Sequence, residues 1–525
     1  MSSPAIADAI APFRNEQSSD FSHPETRAAF AAALAHVRAE ELGRLYSLRI
    51  GGRDVIHPET FESTNPAAPS EVVGRHVIAT PEDVDAAVRA AHAAFASWSV
   101  TTAEQRADFL RRAAGRLRER RHDFSALMVL EVGKAWDEAD GETAEAIDLM
   151  EWYARQMLEL AAPRELTPLP GEDTEFFYVP LGAGAVISPW NFPLALATGM
   201  MTAAVVAGNT VVLKPASASP TIAAWLVDLF RQVGLPDGVI NYLTGPGGAI
   251  GDALVDHPLI RFVAFTGSKD VGIRIYERAA RVQPGQIWLK RVQLEMGGKN
   301  AVVVDETADL DAAADGIVTS AFSFQGQKCS AGSRAIAVDA VYDDLLQRVI
   351  QRTRELRAGN PTDPDVQVGP VVDSAAERKI RDYIDIGRTE GHVVLGAGKP
   401  ALDGFFIEPT IIADVSPTAR VAQEEIFGPV LTFIRARDFE DALAVANSTE
   451  FGLTGSLYSR DPDRLARARR EFHVGNLYFN RKSTGALMGV HPFGGFNMSG
   501  TDSKAGGPDY LLFFLQGKAL GARHI

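Results

Sequence analysis

Residues 181–215 read LGAGAVISPWNFPLALATGMMTAAVVAGNTVVLKP, and this stretch decides the fold. No charged side chain occurs from Leu181 to Leu213, so a hydropathy window alone would place a membrane span over Phe192–Leu213. Pro189, Pro193, Asn191, Gly199, Gly208 and Asn209 all interrupt such a span. A buried helix that feeds a buried strand at Thr210–Leu213 accounts for the same residues. Strands of a parallel sheet covered on both faces read as continuous apolar runs. The expectation is therefore a strand, a rigid turn, a helix and a second strand of a soluble α/β protein.

Short apolar strands alternating with helical stretches continue outward from there. GVINYLTG (238–245) and RFVAFTGS (261–268) extend the first series, and NAVVVDE (300–306) opens a second that runs to about Leu457. Such alternation implies βαβ units and parallel sheets. Residues 24–45 and 81–160 carry amphipathic helical patterns, as in EDVDAAVRAAHAAFASW (82–98). Segments 171–180 and 510–525 look like isolated strands with no helix partner, and open edges of that kind suit subunit association.

A chain of 525 residues exceeds one ordinary core. The expected division is an N-terminal helical extension over 1–45 and a cofactor domain over 46–170 and 186–295. A catalytic domain would cover 296–490, with association strands over 171–185 and 500–525. The net charge of −15 argues against nucleic acid or an anionic membrane as partner. A single cysteine makes no intrachain disulfide, which suits a reducing cytoplasm. The opening residues lack the basic and apolar regions of a signal peptide. No H-E-x-x-H spacing occurs, and no metal site is expected.

Three residues stand in settings that chemistry could use. Cys329 lies in FSFQGQKCSAGSR (322–334), a small, polar, turn-forming context unlike a core strand. A free cysteine is most often a buried structural thiol, and the residues alone leave it open between that and a nucleophile. Glu295 in VQLEMGGKN (292–300) follows an apolar strand and precedes two glycines. That places it at the mouth of a sheet, although an acid in such a setting is more often an exposed loop residue. Asn191 sits between two prolines in a turn of fixed φ, where its amide could serve an oxyanion or merely tie the turn. FTGS (265–268) and TGPGGAIG (244–251) each follow a strand and open a helix, as a phosphate-binding turn does, although tight βα turns use glycine anyway.

In chain order WNFP, KPA, FTGS, LEMGGKN, GQKCSAGSR, EEIFGPV, FNRKSTGA and PFGGF resemble the aldehyde dehydrogenase superfamily over nearly the whole chain. Within it, PFRNE (12–16) and residues 475–516 are most similar to the 1-pyrroline-5-carboxylate dehydrogenase subfamily. The resemblance implies two Rossmann-type parallel-sheet domains with a small β flap for oligomerisation. It implies Cys329 as nucleophile, Glu295 as base and Asn191 as oxyanion donor in the NAD-dependent oxidation of glutamate γ-semialdehyde, the second step of proline catabolism. For the cofactor it implies Lys214 and Ser217 at the adenosine ribose, with Trp190 and Ser268 at the pyrophosphate. Glu425 would stand at the nicotinamide ribose with Phe427 beside it. Ile187, Pro189, Gly247, Gly251, Phe265, Gly267 and Gly297 would line the same site. The substrate carboxylate would meet Ser330, Gly485 and Ala486, its chain Phe192 and Phe493, and its ammonium a glutamate near position 145. A homo-oligomer is implied, either a dimer or a hexamer built of dimers. Many NAD-specific relatives carry glutamate where KPASAS has Ser217, so NAD is expected as preferred cofactor with NADP tolerated. A succinate-type semialdehyde dehydrogenase is the nearest alternative, and a silent relative that keeps only the fold is another.

Overall fold

The quoted stretch folds into the strand Ala183–Ser188, the helix Ala195–Val206 and the strand Thr210–Pro215, in a computed structural model that describes residues 12–501 and 503–524. The two strands pair in parallel with Ala183 opposite Thr210. They form the centre of a seven-stranded sheet. Its order is Arg291–Glu295, Phe262–Thr266, Ala183–Ser188, Thr210–Pro215, Ile240–Tyr242, Leu48–Ile50 and Arg53–Val55. The first five run parallel, and the last two close the edge antiparallel. From Ala183–Ser188 the chain winds to one side and then returns to lay Phe262–Thr266 on the other. That reversal makes a crevice at the carboxyl ends of these two strands, the place where open α/β sheets take ligands.

The second series forms another seven-stranded sheet, ordered His392–Leu395, Thr410–Ala413, Val430–Ala436, Arg334–Val338, Ala301–Val304, Thr454–Tyr458 and Asn476–Phe479. All its pairings are parallel except the edge strand His392–Leu395. It extends past Leu457, because Asn476–Phe479 adds one more strand. A separate three-stranded sheet takes its strand Arg44–Tyr46 from across the expected boundary at 45, and its strands Thr60–Asn65 and Ala68–Val77 from the region assigned to the cofactor domain. Among the described residues no helix is long and apolar enough to cross a membrane.

Two expectations need correction. Segments 171–180 and 510–525 are not isolated: Glu172–Pro180 pairs antiparallel with Leu515–Arg523 over nine residues. Tyr510–Phe514 is a 3-10 turn whose Tyr510, Leu511 and Phe514 are buried, so only the later part is strand. The boundary at 185 also falls inside a central strand. The separation comes at Gly182, whose φ of 144° swings the chain from the ribbon into the sheet. At the other end of the chain Pro24–Glu40 is a helix, preceded by a strap that ties down on the helix Trp136–Ala161. In that strap Asn15 and the Glu16 N–H bond the Asp148 carboxylate at 3.0 and 2.7 Å.

Candidate active site

The cleft is built from loops at the carboxyl ends of the first sheet and the amino ends of the second. Asn191 follows Ala183–Ser188, Gly267 and Ser268 follow Phe262–Thr266, and Glu295 ends its own strand. Facing them, Gly297–Asn300, Cys329 and Glu425–Phe427 each precede a strand of the second sheet. The general rule for ligand sites thus serves the first half only, and the nucleophile enters from the opposite end of its own sheet.

Cys329 sits in a turn after the helix Leu310–Phe322 and a 3-10 segment Ser323–Gly326. Phe324, Gln325 and Gly326 all have positive φ (49°, 56° and 67°), an unfavourable run for the two side-chain-bearing residues. Interlocking bonds hold it: Gln325 Nε2 donates to the carbonyls of Gly133 (3.2 Å) and Pro370 (2.7 Å), and Gln327 Oε1 accepts from the Val372 N–H at 3.0 Å. Asn300 Nδ2 donates to the Cys329 carbonyl at 2.7 Å. Burial pushes the thiol up to about 12, with the Glu295 and Glu425 carboxylates adding to it. The N–H groups of Ser330 and Cys329 itself work in the other direction. The neighbouring Lys328 ammonium is spent on Glu138 (2.6 Å) and Ser323 Oγ (3.0 Å).

Asn191 is buried, and its Nδ2 donates to the Gln327 carbonyl at 3.0 Å, two residues before the nucleophile. One amide hydrogen therefore anchors the two loops together, and the second is left for a ligand. Glu295 is buried at the strand end, where its carboxylate lies close to Gly494 and Gly500. A Cβ at Gly494 would stand 3.0 Å from Oε1, and one at Gly500 3.5 Å from either oxygen. Ser330 and the loop bearing Gly485 and Ala486 are joined by Ser483, whose Oγ donates to the Ser330 carbonyl at 3.2 Å. Phe493 neighbours Gly494 and bridges Ala505 through its N–H at 2.9 Å.

The remaining residues form a groove along the first sheet. Lys214 is buried at its strand end with Nζ 3.3 Å from the Pro215 carbonyl, and burial lowers its ammonium to about 8. Such a group has donors to spare for hydroxyl oxygens. Ser217 Oγ donates to the Gly245 carbonyl at 3.2 Å, which ties the first loop to the Gly247–Gly251 turn. Ser268 is the residue before the helix Lys269–Ala279 and makes no capping bond of its own. Phe265 is buried, and its ring fills the space where a Cβ on Gly267 would project, so it supports the turn from below. Trp190 meets Phe427 edge-on at 5.5 Å, and Phe427 has φ 61°. Glu425 accepts from the Gly298 N–H at 2.9 Å, and a Cβ on Gly297 would overlap its carboxylate. Burial raises the Glu425 carboxyl, while the Gly298 bond holds it down. Backbone close to anion-binding turns, a free helix start and a partly satisfied buried ammonium fit a dinucleotide.

The aldehyde dehydrogenase family profile matches residues 55–520. The chain belongs to that family. Among its curated relatives, the 1-pyrroline-5-carboxylate dehydrogenase of Geobacillus thermodenitrificans (strain NG80-2) is 56% identical over 511 residues, 97% of this chain and 99% of the relative. A solved structure of 1-pyrroline-5-carboxylate dehydrogenase from Thermus with bound NAD is 52% identical. It superposes with a TM-score of 0.96, covering 98% of this chain and 99% of that one. A betaine aldehyde dehydrogenase from Staphylococcus aureus in complex with NAD+ is more distant, 29% identical with a TM-score of 0.87 over 94% and 98% of the two chains.

Sequence reasoning missed the buried charges behind this aldehyde dehydrogenase cleft. Glu142 accepts from the N–H groups of Leu194 (2.8 Å) and Ala195 (3.0 Å), so it caps the helix that follows Asn191. Its other oxygen pairs with Lys134, and both side chains are completely buried. The Lys134 ammonium lies 3.8 Å from the Phe192 ring centroid and 4.5 Å from that of Phe324. Glu131 does the same for the helix Pro220–Gln232, accepting from Thr221 and Ile222 at 2.8 and 3.0 Å. Glu131, Lys134, Glu138 and Glu142 recur at helical spacing, which reads as a solvated face. One signal was present, the apolar run Ala126–Leu130 directly before Glu131.

Proposed function

We propose that this chain oxidises glutamate γ-semialdehyde, the open form of 1-pyrroline-5-carboxylate, to glutamate with NAD, and does so through Cys329, Glu295 and Asn191. One observation carries the reading. The loop of Gly485 and Ala486 is tied through Ser483 to the residue after Cys329, which gives the nucleophile a neighbouring seat for a carboxylate. Together with the likeness to proteins named for this reaction, that seat favours an aldehyde bearing a carboxylate over a plain one.

Cys329 attacks the aldehyde carbon as its thiolate. The oxyanion of the thiohemiacetal falls to the free hydrogen of the Asn191 amide and the Cys329 N–H. NAD, when bound, supplies the hydride acceptor. Lys214 and Ser217 hold its adenosine ribose, Trp190 and Ser268 its pyrophosphate, and Glu425 the nicotinamide ribose. Glu295 then deprotonates the water that hydrolyses the Cys329 thioester. Ser330 Oγ with the N–H groups of Gly485 and Ala486 receives the α-carboxylate, a seat of hydroxyl and peptide donors. Glu145 receives the ammonium, and Phe192 and Phe493 wall the carbon chain. The Glu172–Pro180 and Leu515–Arg523 ribbon, with its mostly exposed residues, serves association of subunits of a cytoplasmic enzyme.

NADH formation from glutamate γ-semialdehyde, compared with succinate semialdehyde at equal concentration, tests the substrate. Wild type is expected to favour the former by at least about tenfold, the worth of one ionic hydrogen bond. Equal use of both would refute the substrate assignment, and full turnover by Cys329→Ala would refute the mechanism.

A further inference from the structure

We infer that Arg481 is a positioning residue for the carboxylate seat, because its guanidinium fixes the direction of the two peptide N–H groups that form it. This rests on the substrate reading above. Arg481 Nη2 donates to the carbonyl of Thr484 at 3.1 Å and to that of Gly485 at 2.9 Å. No cis peptide occurs among the described residues, so each of these peptides is a trans plane whose carbonyl and N–H point in opposite directions. The Thr484 carbonyl shares its plane with the Gly485 N–H, and the Gly485 carbonyl shares its plane with the Ala486 N–H. One guanidinium that gathers both carbonyls therefore turns both N–H groups away from itself. Neither N–H donates to any acceptor among the described residues. Two successive N–H groups held without a protein acceptor are the elements of an anion-binding nest.

The arrangement is braced at each point. Gly485 has φ 77°, a left-handed bend that lets consecutive carbonyls converge on one cation. Arg481 packs over Tyr478, 4.4 Å from the ring centroid, and its Nη1 stands 3.2 Å from His491 Nε2. The loop is pinned before the seat by the Ser483 N–H on Ser320 Oγ at 3.0 Å. It is pinned after the seat by Asn15 Nδ2 on the Met488 carbonyl at 3.1 Å. A lysine at 481 would keep the charge but lacks the second nitrogen, Nη1, that stands on His491 while Nη2 reaches both carbonyls.

The test compares kcat/KM for glutamate γ-semialdehyde with that for pentanal, which has the same carbon count and no carboxylate, in wild type, Arg481→Met and Arg481→Lys. Both variants are expected to raise KM for the semialdehyde about tenfold, the scale of one ordered hydrogen bond, and to change pentanal turnover by no more than about twofold. NAD affinity and the melting temperature, measured on the same samples, are expected to stay near wild type and so exclude general misfolding. Wild-type discrimination retained in Arg481→Met overturns the inference and leaves the substrate reading standing. Full rescue by Arg481→Lys overturns it as well, since charge rather than direction would then suffice. Loss of both substrates together with NAD affinity assigns Arg481 a purely structural role and overturns it too. A wild type that prefers neither aldehyde overturns the substrate reading and this inference with it.

Discussion

Gly297→Ala isolates the hold on Glu425. Gly297 is not among the positive-φ residues, so alanine meets no backbone strain there. The added methyl would overlap the Glu425 carboxylate, which is the far end of a flexible side chain, and the side chain must swing away. That movement breaks the 2.9 Å bond from the Gly298 N–H, a charge-assisted bond worth about 1.5–3 kcal/mol. It also takes the carboxylate from the nicotinamide ribose, where its bonds are of the same kind. At about 1.4 kcal/mol per tenfold, NAD should bind about 10- to 100-fold more weakly. Folding should change by less than about 1 kcal/mol, because the displaced group is a carboxylate that burial already disfavours. Equilibrium titration of NAD by quenching of tryptophan fluorescence measures the affinity, and a thermal melt without cofactor measures the stability. Wild-type affinity in Gly297→Ala would refute both the role of Glu425 and the reason for glycine at 297. A variant that melts far below wild type would refute the claim that the side chain absorbs the clash.

Other perturbations probe the surroundings. The Glu145 carboxyl is pushed up to about 7 by burial and by Glu142. A folded-state value above the unfolded one gives stability that is complete below about pH 4.5 and lost as pH rises through about 7. Glu145→Gln, always neutral, is expected to melt higher than wild type at pH 8 and at the same temperature near pH 4.5; the opposite order at pH 8 would refute the assignment. Lys134→Met strands the buried Glu142 carboxylate and is expected to cost about 3–5 kcal/mol in urea unfolding, a cost that a pair exposed to water would not show. With Ser217 instead of an acid, the ratio of kcat/KM for NAD over NADP should stay below about 10³, and Ser217→Glu should raise it by repelling the 2′-phosphate.

The residues around the cleft differ in how far the sequence alone exposed them. Both sheets could be read because their strands are buried on both faces and so appear as unbroken apolar runs, as at Val302–Val304. Cys329, Glu295 and Asn191 stood out because each sits among glycines, prolines or polar residues that no core position needs. The pairing of Glu172–Pro180 with Leu515–Arg523 was not legible, since strands more than three hundred residues apart leave no local trace of their register. Nor was the direction of the Lys328 side chain, which depends on a carboxylate from another helix. The clamp by Arg481 escaped for a similar reason: its donors meet backbone carbonyls, which every residue carries.

Rapid mixing of Glu295→Gln with glutamate γ-semialdehyde and NAD tests the covalent route at Cys329 most directly. The expected record is a burst of NADH equal to the concentration of active sites, followed by turnover slower than wild type by about 10² to 10⁴. Acylation then proceeds while hydrolysis waits for its base. Steady NADH formation at the wild-type rate, with no burst, would contradict the assignment of Glu295 as the base that releases the acyl group from Cys329.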